Sequence, residues 1–339
     1  MIERRGFLLF GIAAALLGGG PARAADKLIA LDVALGDVSL NKVLFLIAAD
    51  SGIYKRNGLD VRQFITPAAA EVARRSGVVV PAEYVKEDIG SAPIEVSGGS
   101  PMMYGVATDP KAISRIILAT TEAHITDHVI ATPSITKVED LKGKRLGYSG
   151  LGAVTHVAAL SWAKRMGWTP GKDIILVGNA NSLNPLKEGK VDAILGPAML
   201  VAMAPEMNLK DIANLEPYNI PVAGSGIMAR RDWLTANRDI AVRFVKASLE
   251  AFALMTKDRG IFNASLAKWF NITDATTQAR MYADVAGMPR KPYPSIEGIK
   301  NTMSLYDFAG MRKHKAEDFY DASIIAELDG SGFIDGLYK

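Results

Sequence analysis

The stretch Lys144–Met166, KRLGYSGLGAVTHVAALSWAKRM, carries the reading on which the fold depends. Lys144–Ser149 has the residues of a strand, and Gly150-Leu151-Gly152 those of a turn. Ala153–Met166 places Val154, Val157, Ala158 and Trp162 at helical spacing, with Gly167 to end the helix. A strand that feeds a helix through a glycine turn is the unit of a parallel sheet with helices on its faces. Gly150 and Gly152 let a ligand approach the backbone closely. The N-terminus of the following helix adds unpaired N–H donors and a partial positive charge, and Thr155 adds a hydroxyl. By motif alone the turn suits a bound anion and a plain strand-to-helix connection equally well.

The same grammar extends in both directions. Upstream, Leu28–Leu35 reads as a strand. Asn41–Asn57 reads as a helix with Val43, Leu44, Ile47 and Tyr54 on one face, and Leu59, Val61 and Ile65 alternate with Asp60 and Arg62 as a second strand. Downstream, Ile174–Val177, Leu183–Glu188 and Val191–Leu195 read strand, helix, strand. From Asp232 the pattern turns helical: Ile240, Phe244, Val245, Leu249 and Phe252 share one face of a long helix, and Phe319, Ala322 and Ile325 mark the last. The expected architecture is α/β, with two lobes, each a mostly parallel sheet flanked by helices, and a helical C-terminal third. Two more turns, Asp37–Asn41 with Ser39 and Asn41, and Ser97-Gly98-Gly99-Ser100-Pro101, follow expected strands, where α/β folds place ligands.

Composition bounds the function. The chain has 339 residues, 49% apolar and 22% charged, which suits two globular lobes and excludes disorder, collagen and a coiled-coil rod. Lys and Arg number 39 against 36 Asp and Glu, a net charge of +3, with no electrostatic footprint for nucleic acid or an anionic membrane. There is no cysteine, which removes disulfides, thiolate metal sites, cysteine nucleophiles and a lipid-modified N-terminal cysteine.

Residues 1–24 read as an export signal. Arg4 and Arg5 precede the apolar run Phe7–Leu17, Gly18–Pro21 break it, and Ala22-Arg23-Ala24 gives the small-x-small cleavage pattern. That run is too short for a bilayer core that needs roughly 20 residues. Arg4-Arg5-Gly6-Phe7-Leu8 also resembles the twin-arginine motif, so the export route stays open. The expected product starts at Ala25, is soluble and unlipidated, and is not inserted in a membrane.

Candidate chemistry is thin. His124 and His128 copy a zinc-protease spacing without its Glu, and the flanking Val129-Ile130-Ala131 looks like a strand. Gly147-Tyr148-Ser149-Gly150 resembles a nucleophile elbow, but Leu151 stands where its last glycine belongs. Glu327–Ile334 imitates the core of a calcium loop without its closing Glu. No phosphate loop or complete dinucleotide motif is present. The expectation is a binding protein rather than an enzyme, with no metal and no cofactor.

At four places the chain resembles the periplasmic solute-binding proteins of the nitrate/sulfonate/taurine family of ABC importers. Gly52–Val61 (GIYKRNGLDV) is similar to the family's early segment, and Val138–Gly147 (VEDLKGKRLG) to the start of its second lobe. Leu186–Ala193 (LKEGKVDA) and Arg238–Ala251 match two later segments. One departure is Gly90–Glu95 (GSAPIE), where the family repeats G-x-x-D.

The resemblance implies a type II periplasmic binding protein. Residues 25–123 and 225–339 would form lobe I and 124–224 lobe II, with hinge crossings near His124 and Gly224. A small solute would sit in the cleft, and the closed form would dock on a membrane permease driven by an ATPase, the binding protein itself being a monomer. The ligand contacts then expected are Ser39, Asn41, Ser97, Gly98, Gly99, Ser100, Glu122, Gly150, Leu151, Gly152, Ala153, Thr155, Asn179 and Pro197. An anionic group of sulfonate, nitrate or carboxylate type is expected on the Gly150–Thr155 turn. The alternatives are a neutral heterocycle such as a thiamine-pyrimidine precursor, stacked on Tyr54, Tyr104, Trp162 or Tyr282, and a sensor that hands its ligand to a receptor kinase. Relatives of this fold include enzymes, among them a desulfinase type whose cysteine nucleophile this chain lacks.

Overall fold

The computed structural model describes residues 27–75, 78–88 and 90–339. The export segment 1–24 and the start at Ala25 lie outside the described residues. The chain runs β1 (Ile29–Leu35), α1 (Val43–Asp50), β2 (Leu59–Phe64), β3 (Ile94–Gly98), α2 (Gly99–Thr108), β4 (Arg115–Thr120), β5 (His128–Ala131) and β6 (Arg145–Gly147). It continues through α3 (Val154–Arg165), β7 (Ile175–Val177), β8 (Ala193–Gly196), α4 (Ala198–Met203), β9 (Lys210–Asn214) and β10 (Ser225–Arg230). The C-terminal third adds α5 (Arg238–Lys257), α6 (Arg259–Phe270), α7 (Ala275–Ala286), α8 (Ile296–Leu305) and α9 (Ser323–Gly330), with shorter helices between.

The strands form two five-stranded sheets, β2-β1-β3-β10-β4 and β7-β6-β8-β5-β9. Each is parallel except for one strand: β10 runs against β3 and β4, and β5 against β8 and β9. Both exceptions have one cause. β5 and β10 are the first strands laid down after the chain crosses from the other sheet, so neither is reached through the helical crossover that a parallel neighbour requires. The crossings occupy residues 121–127 and 215–224 and pair with each other, Ile125 N–H donating to Ile220 O and Val222 N–H to Ala123 O, both at 2.9 Å. The result is the two-lobed α/β fold of type II binding proteins.

Apolar packing explains why these elements hold. Beneath the first sheet, Phe244 of α5 stacks between Phe45 of α1 and Tyr54, with centroids 6.2 and 5.4 Å away. A second cluster joins the sheets: Met103 and Met228 from one side meet Val129, Trp162 and Leu195 from the other, all fully buried. The two lobes therefore share an apolar seam along α2, α3 and α8.

Two local expectations differ. The helix read over Asn41–Asn57 breaks at Gly52, whose φ is +67°, and resumes as a short helix at Ile53–Arg56. Its first half is buried on every side from Val43 to Ala48, because α5 and α6 cover the face that an amphipathic helix would show to water. The calcium-like stretch is no loop: Glu327–Gly330 end α9, and Phe333 opens another helical turn. Phe319 and Ala322 stand before α9 rather than on it.

Candidate functional site

The turn after β6 is built by its own side chains. Ser149 N–H donates to Thr155 Oγ1 at 2.9 Å, and the two hydroxyls bond each other at 2.6 Å. The Thr155 hydroxyl, expected to face a ligand, is thus engaged in closing the turn, and one hydroxyl proton of the pair remains for a third group. Ala153 caps α3 in an extended conformation, φ −62° and ψ 160°, without a side-chain cap. Among the described residues no acceptor takes the N–H of Gly150, Leu151, Val154 or Thr155. These orphan donors are what a helix N-terminus offers an anion. The adjacent Asn179 has φ +56° and donates its N–H to Ser149 O at 3.1 Å.

The lobe I turn meets this one directly. A Cβ on Gly98 would stand 3.0 Å from Val154 Cγ2, so glycine there lets the two turns touch. Gly99 N–H donates to Gly224 O at 2.8 Å. Ser100 is fully buried, its hydroxyl donating to Ala223 O at 3.0 Å and lying 3.1 Å from Thr302 Oγ1. Ser97 donates to Glu95 Oε1 at 2.6 Å. Pro197 precedes α4, and its carbonyl accepts the Leu200 N–H; nothing ties it to either turn.

At the hinge the polar groups are charged. Lys42, only 1% exposed, points Nζ at Ser225 Oγ (2.8 Å) and Asn41 Oδ1 (2.7 Å), with Asp37 Oδ1 at 3.4 Å. Ser39 Oγ lies 2.6 Å from Asp37 Oδ1 and 2.8 Å from Asn41 Oδ1, with one proton to donate between them. Glu122 Oε2 accepts the Ser225 N–H at 3.1 Å; burial pushes its carboxyl up, against the pull of that bond and of Lys42. Burial, helped by the Glu122 charge, pushes Asp127 up to about 7. Next to it the hydrogen bond to Asp211 at 2.8 Å holds His128 above its usual value. The crossing side of the site therefore carries more acidic groups than basic ones, with Glu122 and Asp127 inclined to keep their protons.

Ser39, Asn41, Glu122 and Ser97–Ser100 thus connect through Lys42, Ser225 and Gly224, and Gly150–Thr155 with Asn179 face them across Gly98 and Val154. Sequence reasoning missed Lys42, Ser225 and Asp127, and singled out Ser149 only as the serine of an incomplete nucleophile elbow. Lys42 left a signal, a lone cation before the seven-residue apolar run Val43–Ala49. The others left none, because their placement depends on the crossings. Three of the four candidate stacking rings are spent in the core: Trp162 and Tyr54 are buried, and Tyr282 packs on Phe262 and donates to Thr256 O. The fourth, Tyr104, packs on Tyr306 and Phe308.

A shallow apolar recess is lined by Leu44, Ile227, Val245, Leu249, Phe252 and Met288 among others, and shares no residue with the Gly150–Thr155 turn. Its Thr121 and Ser248 hydroxyls donate to backbone carbonyls and have no proton left for a ligand. Among the described residues no three His, Asp or Glu stand together as a metal site, and no helix is long and apolar enough to cross a membrane.

Residues 106–259 match the family model described as NMT1/THI5 like. No curated protein matches the chain. Among solved structures it is similar to the alkanesulfonate-binding protein SsuA from Xanthomonas axonopodis pv. citri, bound to MOPS (18% identity, 86% of this chain and 96% of that one, TM-score 0.63). It is also similar to the periplasmic nitrate-binding protein NrtA from Synechocystis PCC 6803 (14% identity, 91% and 90%, TM-score 0.65). The desulfurization enzyme DSZB shares the fold as well (13% identity, 89% and 99%, TM-score 0.55). Family model and fold agree with the resemblance to the nitrate/sulfonate/taurine solute-binding proteins.

Proposed function

We propose that a chain with this family resemblance and fold serves as the periplasmic solute-binding component of an ABC importer. It traps one small solute between its lobes as a monomer, converts nothing, and delivers the solute to a permease and its ATPase. The observation that carries the reading is the row of unpartnered N–H groups at the start of α3, opposed across Gly98 by the charged hinge. Those donors suit an anionic group, as in a sulfonate, nitrate or carboxylate. The names of SsuA and NrtA support the same class.

A second reading, a neutral heterocycle, is favoured by one observation. Glu122 and Asp127 lie on the hinge side, where an isolated anion would be repelled and N–H donors would be welcome. Two ends of opposite character also suit a solute that carries both an acceptor and a donor. A thermal-shift panel of sulfonates, carboxylates and nitrate against pyrimidines separates the readings. Stabilisation by anions alone supports the first, and by uncharged heterocycles alone the second. Recovery of a chemically altered compound after incubation would overturn the non-enzymatic role. The intact mass of the exported protein should correspond to a chain starting at Ala25 with no lipid.

A further inference from the structure

His156 sits in the first turns of α3, 8% exposed, directly behind the candidate ligand turn. Its Nδ1 lies 2.8 Å from the hydroxyl of Tyr306 at the end of α8, and its ring stacks on Tyr148 at 4.4 Å. Gly152 directs its N–H at the same Nδ1, 3.4 Å away, and at the Tyr306 oxygen. A backbone N–H can only donate, so Nδ1 carries no proton, Tyr306 donates its O–H to it, and the imidazole proton is on Nε2.

We infer that the His156–Tyr306 pair is a proton-sensitive clasp that holds the Gly150–Thr155 turn against α2 and α8 while His156 is neutral and releases it in acid. A proton added at Nδ1 would set a donor against the Gly152 N–H and force Tyr306 to turn its O–H away and accept instead. It would also place a charge where no counter-charge faces it. The titratable groups around the ring are Tyr148, Tyr306 and, edge-on behind Tyr306 at 5.1 Å, Tyr104. Burial pushes Tyr148 and Tyr306 upward, so neither becomes an anion near neutral pH. Burial alone lowers His156, with no carboxylate contributing.

The sign follows. The clasped form binds a proton less readily than a freed imidazole with its ordinary value of about 6.5. Clasping is therefore fully favoured above that pH and loses ground as pH falls below it. Two other bonds keep α8 in place meanwhile, Asn301 Nδ2 to Ser161 Oγ of α3 at 3.0 Å and Thr302 to Ser100 of α2 at 3.1 Å. Acid should thus loosen the turn without parting the lobes' seam. The consequence for affinity rests on the proposed role of the turn as the ligand's seat, but the clasp can be tested without any solute.

The chain has four histidines, few enough to follow individually by NMR. In the protein without added solute, His156 should titrate below the ordinary value of about 6.5, and Tyr306→Phe should move it upward. Protection of the Gly152 and Ala153 amides, the two hydrogen-bonded N–H groups of the turn, should fall about tenfold between about pH 7.5 and pH 5.5 after correction for intrinsic exchange. In His156→Asn, which keeps an acceptor near the Nδ1 position and cannot titrate, protection should hold across that range. His156 titrating at its ordinary value, or the same acid loss of protection in His156→Asn, would overturn the clasp. Either result would leave the solute-binding reading untouched.

Discussion

A Cβ on Gly152 would stand 2.6 Å from both Cβ and Cγ of Tyr104, and Gly152 itself has φ +80°. Tyr104 belongs to α2, beside the first sheet, and Gly152 to the glycine turn after β6 of the second. Glycine there is thus required twice, for a left-handed backbone and for contact between lobes. Gly152→Ala should cost about 1–3 kcal/mol for the backbone conformation, with the clash added. In urea unfolding, Tyr104→Ala, which keeps its own Cβ, should recover only the part of the clash made by the ring and none of the backbone cost, so the double variant should be less destabilised than the sum of the singles. Strict additivity would mean that the two residues do not meet.

Lys42 is the one buried cation at the hinge, and Lys42→Met leaves Asp37, Asn41 and Ser225 without it. Loss of a charged hydrogen-bond donor there should cost about 1.5–3 kcal/mol at neutral pH. The loss should shrink in acid as Glu122, pushed up by burial, takes its proton, while Asp37, held low beside Lys42, stays ionised. A denaturation series that shows equal loss at pH 5 and pH 8 would contradict this account of the cluster.

Asp127 gives the pH dependence a definite sign. Pushed up to about 7 by burial and the Glu122 charge, it holds its proton in the folded chain over a range where an unfolded Asp has lost it. Its stabilising contribution is complete below its ordinary value of about 3.9 and is lost as pH rises through about 7. Other carboxylates, such as Asp192 held low by Arg145, act in the opposite direction, so the variant must be compared with the parent. The stability of Asp127→Asn relative to the parent should rise with pH from about 4 to about 7 and then level off. A flat difference would mean that Asp127 ionises normally.

Much of the fold could be read from the chain because it depends on local pattern. Leu146 and Gly147 fall on β6, and Val157, Ala158 and Trp162 on the buried face of α3, as their spacing predicts. Patterns could not show what the crossings bring together. Ser225 meets Lys42 across 183 positions and Tyr306 meets His156 across 150, and no local signal encodes either pairing. The site was half legible for the same reason. The glycine turn announced its donors, but the role of Thr155 depended on Ser149, six residues away, and the acidity of the hinge on three separate segments.

The central claim, that the solute is held by the backbone donors opening α3, has a direct test in Val154→Pro. Val154 is the first helical residue, where proline is well tolerated, and Ala153 before it already has the extended conformation that proline demands. The substitution deletes one unpartnered N–H and keeps an apolar side chain beside Gly98 in place of the valine. For whichever sulfonate, carboxylate or nitrate stabilises the parent, calorimetric titration should show binding weakened about ten- to hundredfold, the worth of one hydrogen bond to a charged group. The melting point of the variant without solute should stay near that of the parent. Undiminished affinity in a folded Val154→Pro protein would contradict the claim.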